Sequence, residues 1–261
     1  LEGTGLETQL NRRALTGGID GYTWLDRSGM WVLTGWAGVS RVDGTAAQIT
    51  AVQENSTHYF QRPDAGHVMV DSQATSLDGW ASRVWLNKQR GDWLFNAGLG
   101  AIDPGFETND LGFLSRTDVI NAHGVVTRRW TRPGRTFRFA RVNAGSFLVY
   151  NFDHDKTGQG ILGSFFSQFL NYHGIGGFAA YNPERINVRG TRGGPRMIAP
   201  AGYEAELEYE SDDRKPVSVF GLVRHGEYQQ GSEDYSRALL EVEWRPASSV
   251  SIRLGPQYDW G

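Results

Sequence analysis

The sequence predicts an all-β fold, an antiparallel transmembrane β-barrel, and three observations lead to it. Short runs of alternating apolar and polar residues follow one another along most of the 261 residues, which is typical of strands with one apolar face. Short and long connections alternate between these runs, as they do in outer-membrane barrels. Large aromatic residues stand beside most of the short connections, where such barrels carry a girdle of rings.

The composition agrees with this class. Hydrophobic residues are 39% of the chain and mean hydropathy is -0.45, and no apolar run of about 18 residues predicts a helical membrane span. The absence of such a run does not exclude membrane-spanning barrel strands, because only their alternate residues are apolar. The net charge of -3 gives no reason to expect nucleic acid as a partner, and the absence of Cys excludes disulfides and thiolate metal sites.

We predict about twelve strands in the chain. They cover residues 13–25, 30–42, 75–88, 92–102, 116–131, 135–152, 160–181, 186–191, 201–210, 216–228, 233–245 and 249–260. Alternation is clearest in 201–210, where apolar residues alternate with four glutamates. In 135–152 the apolar residues change from odd to even positions. A β-bulge near Ala140 would keep them all on one face of the strand.

The connections predict which end of each strand lies outside. The short ones are 26–29, 89–92, 132–135, 182–185, 211–215 and 245–249, and the longer ones are 43–74, 103–115, 153–159, 191–200 and 229–232. This asymmetry predicts short periplasmic turns and longer external loops. In the first long connection, Ala46, Ile49 and Val52 have helical spacing and predict a short helix over the mouth or in an external loop.

The aromatic residues beside the short turns predict a girdle at the membrane interface. They are Trp24, Trp31, Trp85, Trp93, Trp130, Phe137, Tyr181, Tyr209 and Trp244. Ordinary core aromatics near strand ends are the alternative, and they would belong to a soluble β-sandwich. A sandwich would bury Phe95, Leu207 and Ile252 between two sheets.

The strand count predicts that residues 1–261 form one barrel domain that is a piece of a longer protein, the alternative being that the count is wrong by one strand at each end. With short turns in the periplasm, the first strand begins outside and the last one ends outside. A complete bacterial barrel has an even strand number and brings both termini to the periplasm. The expected partners are therefore outer-membrane lipid and either the missing part of the polypeptide or other envelope subunits.

Three segments resemble a known family: DPGFETNDLGFLSRTDVINAHG (103–124), TRGGPRM (191–197) and YESDDRK (209–215). It is the C-terminal domain-of-unknown-function family of outer-membrane β-barrels, whose members often carry an N-terminal module resembling carbohydrate-binding module family 9. The resemblance covers most of the chain, and 103–124 is its most specific part. It implies a barrel in the outer membrane and no established activity, so no catalytic residue is transferred.

Charged residues on the predicted polar faces are candidates for lining a lumen. They are Glu204, Glu206, Glu208, Arg237, Glu241 and Arg253. Adjacent carboxylates on one strand face repel each other and cannot face lipid, so they meet water or cations. One interpretation is a ladder of cross-strand ion pairs that fills or stiffens the lumen, and the other is a charged constriction that selects solutes.

A weaker signal concerns calcium. Asp153, Asp155 and Thr157 have the opening spacing of a calcium loop, but Ser164 occupies the position that requires a bidentate Glu. A polar hairpin loop is the alternative, and no other cofactor is expected. The basic segment 189–196 lacks the Lys-Ser/Thr and the strand–loop–helix setting of a phosphate loop, which argues against phosphate binding there.

No catalytic residue is predicted, and the chain is not expected to be an enzyme. The histidines show no metal-ligand spacing, although His123 and His173 fall on predicted polar faces. Three functions remain open: a pore or uptake channel for small solutes, including glycan-derived ones; a closed barrel that anchors soluble domains or an envelope assembly; and a hydrolase in the lumen, which would need a His–acid–Ser cluster.

Overall fold

The computed structural model describes residues 10–261. The strands are β1 (Arg13–Trp24), β2 (Trp31–Asp43), β3 (Ser76–Lys88), β4 (Trp93–Ile102), β5 (Val119–Trp130), β6 (Phe137–Tyr150), β7 (Lys156–Phe169), β8 (Gly174–Asn182), β9 (Arg185–Asn187), β10 (Met197–Ala199), β11 (Gly202–Glu210), β12 (Val217–Tyr228), β13 (Glu233–Ala247), β14 (Val250–Leu254) and β15 (Gln257–Trp260). Helix α1 spans Ala46–Glu54, and a 3₁₀ segment spans Gln229–Gly231. No helix in this part of the chain is long and apolar enough to cross a membrane.

Thirteen of the strands form one antiparallel sheet, which confirms the predicted all-β antiparallel fold. Its order is β1 to β8 and then β11 to β14, while β15 pairs with β13 beyond the end of β14. β9 and β10 form a separate hairpin. Within residues 10–261, β1 pairs only with β2, so the sheet is open between its first and last strands.

The register places alternate residues on two chemically different faces. Leu207 lies opposite Gly177 on β8 and Val223 on β12, and these define the apolar face. The next residue, Glu206, lies opposite Arg224 on the polar face. Because the side-chain period of a strand is two, each strand of the sheet contributes one row to each face.

The apolar face is covered by no second layer in the described residues. Leu207 is 54% exposed and Ile252 is 44% exposed, and Phe95 is half-buried. The thirteen strands belong to one sheet rather than to two stacked sheets. The β-sandwich alternative, which would bury all three side chains, is therefore wrong.

Aromatic side chains on the apolar face form two rows, one near each end of the strands. The short-turn row contains Trp31, Trp93, Trp130, Phe137, Tyr209 and Trp244, and the long-loop row contains Trp80, Tyr150, Tyr181, Tyr203 and Trp260. Between the rows the face carries mostly aliphatic, small and hydroxyl side chains, together with Phe95 and Phe165. Two assignments to the short-turn girdle were wrong because the parity of Trp24 and Trp85 places them on the polar face. Tyr181 belongs to the opposite row.

The predicted run 160–181 is two strands. β7 and β8 are joined by a turn at 170–173 that contains neither Gly nor Pro, and Tyr172 takes the left-handed conformation there, with φ of 67°. The segment 182–185, predicted as a short turn, instead begins the long connection to β11. The run 186–191 contributes β9, which lies outside the main sheet. One predicted strand too few at 160–181 and one too many at 186–191 cancel. The later strands therefore begin and end on the sides of the sheet, short-turn or long-loop, that were predicted.

Three local predictions can be compared with the structure. Helix α1 is present, and Thr45 and Gln48 form a capping box at its start. The bulge in β6 lies between Phe137 and Phe139, two residues from the predicted position. The last predicted run is interrupted after β14, before β15.

Candidate functional site

The polar face of β11 to β15 carries a concentration of charge that we call the acidic wall. It consists of Glu204, Glu206, Glu208, Glu210, Glu241, Glu243 and Asp259, together with Arg224, Arg237 and Arg253. All six lumen residues predicted from the sequence lie on it. Seven carboxylates and three guanidinium groups leave this wall with a surplus of four negative charges at neutral pH.

Part of the acidic wall is a ladder of ion pairs across strands. Arg224 on β12 donates to Glu204, which also accepts from the Tyr235 hydroxyl at 3.0 Å. On the neighbouring strands, Arg253 lies 3.1 Å from Glu241, and Arg237 lies 2.5 Å from Asp259. Arg224 was not predicted to line the polar face, because its pairing with Glu204 depends on the register between β11 and β12.

Glu208 and Glu210 differ from these pairs, since neither makes a salt bridge within the described residues. Their carboxylates lie over Gly176 and Gly174 of β8, where a Cβ atom would come within 2.1 Å and 2.4 Å of a carboxylate oxygen. The missing side chains at these glycines provide the space. A cavity of about 290 Å³ lies beside Glu210 at the short-turn end of the wall.

The polar face of β3 to β5 carries the opposite sign. Arg83 donates to Asn121 at 2.5 Å and lies 3.0 Å from Nδ1 of His123. Nε2 of His123 lies 2.6 Å from Asn96, which donates in turn to Asn87. His123 is thus on the polar face as predicted, but it lies beside a guanidinium and amides rather than beside an acid and a serine.

His173 is not part of the polar face. Its Nδ1 lies 2.6 Å from the Tyr209 hydroxyl, and Tyr209 belongs to the short-turn row on the apolar face. The prediction failed because residue 173 belongs to the unrecognised turn between β7 and β8, so its parity was counted from the wrong strand.

At the other end of the sheet, four connections pack together into a unit that we call the loop assembly. It comprises residues 44–75, 103–118, 151–155 and 183–201. Most of the buried residues of the described chain belong to it or to the strand ends beneath it, including Ile49, Gln53 and Asn151. The core of this protein therefore lies in its loops, not between sheets.

The loop assembly rests on the polar face of the sheet. The backbone nitrogen of Phe106 would lie 2.1 Å from a Cβ atom at position 79, so only Gly79 permits this approach. The next amide, that of Glu107, donates to the Ser40 hydroxyl of β2 at 2.8 Å. The segment around Phe106 thus covers the polar face near the ends of β2 and β3.

A fully buried acid–base pair lies at the centre of the assembly. Nε2 of His58 is 2.8 Å from Glu107, and Nδ1 is 2.7 Å from the Pro104 carbonyl. A carbonyl only accepts, so Nδ1 carries a proton, and one further proton lies between Nε2 and the carboxylate. Burial raises the pKa of Glu107, but hydrogen bonds from His58 and from backbone amides outweigh it, and the pKa is lowered overall.

A second buried network joins three of the connections through Asp118. Its carboxylate accepts from Arg62 at 3.0 Å, from the Phe152 amide at 2.9 Å and lies 2.9 Å from Nε2 of His67. Arg62 and Asp118 are both more than nine-tenths buried. A buried pair of this kind is stabilising only when its remaining groups are satisfied, and here Asp118 has three partners.

The residues of the predicted calcium loop have cationic or imidazole neighbours. Asp155 lies 2.7 Å from Arg196, and Thr157 accepts from Arg116 at 3.1 Å. Asp153 lies 3.8 Å from His67. Residues 10–261 contain no group of three or more His, Cys, Asp or Glu side chains placed to hold a metal ion. Calcium stays a prediction that would require displacing these partners.

A family model described as Domain of unknown function (DUF5916) matches residues 38–260. The chain belongs to this family. No curated protein matches the sequence of this DUF5916 chain. A solved porin structure, refined at 1.8 Å resolution, is similar at 12% identity and a TM-score of 0.49, covering 95% of this chain and 87% of that chain.

DUF5916 membership confirms the resemblance found in segments 103–124, 191–197 and 209–215, all of which lie inside the matched range. The family description assigns no activity. The function of the DUF5916 chain therefore has to be inferred from its two faces, its acidic wall and its loop assembly.

Proposed function

We propose that this DUF5916 chain forms an outer-membrane β-barrel wall whose polar face lines a path for small solutes, including glycan-derived ones. The observation that carries the proposal is the exposed apolar face with an aromatic row at each end. Soluble monomers rarely expose contiguous apolar patches larger than about 300–600 Å², whereas this face extends across all thirteen strands. Hydrocarbon is a solvent in which such a surface is stable.

The spacing of the two aromatic rows supports a membrane setting. Tyr203 and Tyr209 are six residues apart on β11, which corresponds to about 20 Å along a strand. Trp80 and the partner of Trp31, Lys88, are eight residues apart on β3, or about 27 Å. Transmembrane barrels carry an apolar band about 25 Å tall between their aromatic girdles.

A cation at the short-turn row fits an interface between lipid and water. Arg128 stacks on both Trp93 and Trp130, with its guanidinium carbon 5.4 Å and 5.1 Å from the ring centroids. It also lies 2.9 Å from Asp92. Amphipathic rings and snorkelling cations concentrate at the headgroup level, so these side chains mark the periplasmic boundary of the proposed barrel.

The acidic wall supports a solute path with a preference for cations over anions. Glu208 and Glu210 have no guanidinium partner and face the polar side of the sheet. Unpaired carboxylates in a narrow aqueous passage attract cations and repel anions. Uncharged sugar-like solutes would meet many hydrogen-bonding groups on the same wall.

A closed barrel that serves as an anchor is the second candidate, and one observation favours it. The loop assembly packs directly on the polar face at Gly79 and Ser40, and it contains the buried pairs His58–Glu107 and Arg62–Asp118. Loops fixed in this way narrow the external entrance.

We propose no catalytic role in the lumen, because His123 lies beside Arg83 and Asn96. His225 does lie 2.9 Å from Ser236 and 4.0 Å from Asp234, but the register places His225 and Ser236 on the apolar face.

Reconstitution into planar bilayers tests the proposal. We expect detergent-dependent extraction, heat-modifiable migration on gels, and a steady ionic current whose reversal potential in a salt gradient shows cation preference. An anchor would share the first two properties and pass no current. A protein that remains in solution without detergent would contradict both candidates.

A further inference from the structure

Three arginines from three connections of the loop assembly converge beside one carboxylate. Arg62 donates to Asp118 at 3.0 Å, and Arg116 lies two residues before Asp118 in the chain. Arg189 donates at 3.2 Å to the carbonyl of Ser115, the residue preceding Arg116. We call Arg62, Arg116 and Arg189 the arginine cluster.

The cluster carries more positive charge than its surroundings neutralise. Asp118 is the carboxylate beside it, and Arg62 and His67 already occupy that group. Arg116 and Arg189 make no salt bridge within residues 10–261. Burial, the mutual repulsion of Arg116 and Arg189, and the charge of Arg62 lower the pKa of Arg116. Burial is also the main cause of the lowered pKa of Arg189.

The two guanidinium groups are held in place by neutral oxygen atoms. Arg116 donates through Nη2 to Thr157 at 3.1 Å. Arg189 donates to the carbonyls of Ser56 and Ser115 at 2.5 Å and 3.2 Å and stacks on the Tyr59 ring, with its central carbon 5.1 Å from the centroid. These contacts orient the groups without neutralising them.

Some donors of Arg116 remain available to a ligand. Nη2 donates to Thr157, whereas Nε and Nη1 of Arg116 make no hydrogen bond within residues 10–261, and neither of these two nitrogens is fully buried. A planar fork with free N–H groups binds carboxylate, sulfate or phosphate oxygens through two parallel hydrogen bonds.

We propose that Arg116 and Arg189 form a binding site for the oxyanion group of a small solute, a carboxylate or a sulfate. The anion supplies the negative charge that the arginine cluster lacks, and it bridges the connections 103–118 and 183–201. The acidic wall repels anions, so this site acts at the loop assembly, where solutes first meet the protein. The site is a property of the loops and does not depend on whether the sheet closes into a conducting barrel.

Calorimetric titration of the detergent-solubilised protein tests the site without requiring a current. The probes are sulfate and glucuronate, with glucose as the uncharged analogue. We expect both anions to bind and glucose not to bind, and we expect Arg116→Gln to weaken anion binding at least tenfold, because charge-assisted hydrogen bonds are the strong ones. Binding of sulfate alone would restrict the site to tetrahedral anions.

The matched control is Arg135→Gln, which removes an exposed arginine in the turn at the other end of the sheet. It should leave the affinity unchanged. Arg116→Lys keeps the positive charge but loses the planar guanidinium, so it should retain part of the anion affinity that Arg116→Gln loses. Such partial affinity would show that the loss in Arg116→Gln reflects anion recognition and not misfolding. The proposal is overturned if the unaltered protein binds neither anion, if Arg116→Gln binds as tightly, or if Arg135→Gln causes the same loss.

Discussion

Nε2 of His58 lies 2.8 Å from the Glu107 carboxylate, and the two side chains, 49 residues apart in the chain, are 0% and 3% exposed. This contact joins the first long connection to the second above the polar face of the sheet. The long connections of the loop assembly are thus a folded unit with a polar core, and not a set of independent segments.

Glu107→Gln should destabilise the loop assembly while leaving the sheet intact. The amide replaces only part of the hydrogen bonding that the carboxylate makes with His58 and with the Asn109 amide, and a buried polar group left unsatisfied costs about 1–3 kcal/mol. We expect new protease cleavage within 44–75 and 103–118 at a rate that exceeds cleavage of the unaltered protein. Glu184→Gln, an exposed change in the connection 183–201, is the control. Unchanged cleavage in Glu107→Gln would show that the pair contributes nothing to loop order.

The same pair predicts a pH dependence. The pKa of Glu107 is lowered in the folded protein, so its contribution is complete above the ordinary carboxylate pKa of about 4.3 and is lost as the pH falls through the lowered value. Protease sensitivity of the loops should therefore rise below about pH 4, before the sheet unfolds. Loops that stay resistant at pH 3 would contradict this assignment.

Gly79→Ala should displace the segment around Phe106 from the polar face. The added Cβ would lie 2.1 Å from the Phe106 nitrogen, and overpacking of this kind costs about 1–3 kcal/mol. If loops limit the solute path, single-channel current should increase. Gly124→Ala is the matched control, because a Cβ atom there meets nothing within 4 Å. If Gly79→Ala and Gly124→Ala pass equal currents, the contact between Gly79 and Phe106 does not limit the solute path.

Glu208→Gln should alter ion selectivity with little effect on stability, whereas Glu204→Gln should also reduce stability. Glu208 makes no salt bridge in the described residues, but Glu204 accepts from Arg224 and Tyr235. Reversal potentials in a salt gradient measure the first effect and thermal unfolding in detergent measures the second. The double variant Glu206→Gln/Glu208→Gln is tested in the same way. If ion selectivity is unchanged in both this variant and Glu208→Gln, the acidic wall has a purely structural role.

The fold could be predicted largely because the alternation of apolar and polar residues along each strand is visible in the sequence. The alternation of Tyr203 to Tyr209 with glutamates predicted both faces of β11, and the structure confirms the two faces. The turn at 170–173 could not be predicted from Gly or Pro. Tyr172 adopts its left-handed conformation between Arg138 and Arg214, whose guanidinium carbons lie 3.9 Å and 3.0 Å from its ring centroid.

The loop assembly was largely beyond the reach of sequence analysis. Its central contacts join residues far apart in the chain, such as His58 with Glu107 and Arg189 with Ser56, which are 133 positions apart. Periodicity carries no information about such pairs. The only local signals were the helical spacing in α1 and the basic composition of 189–196, and neither indicated which side chains would meet.

The exposure of single cysteines to lipid and water tests the central claim most directly, since the chain contains no native Cys. Bimane attached to Leu207→Cys and to Glu208→Cys in separate proteins reports on adjacent residues of opposite faces. After reconstitution, brominated lipid should quench the label at 207 strongly and the label at 208 weakly, and aqueous iodide should give the reverse order. Equal quenching of both labels by iodide, with no effect of brominated lipid at 207, would contradict the claim that the apolar face meets hydrocarbon.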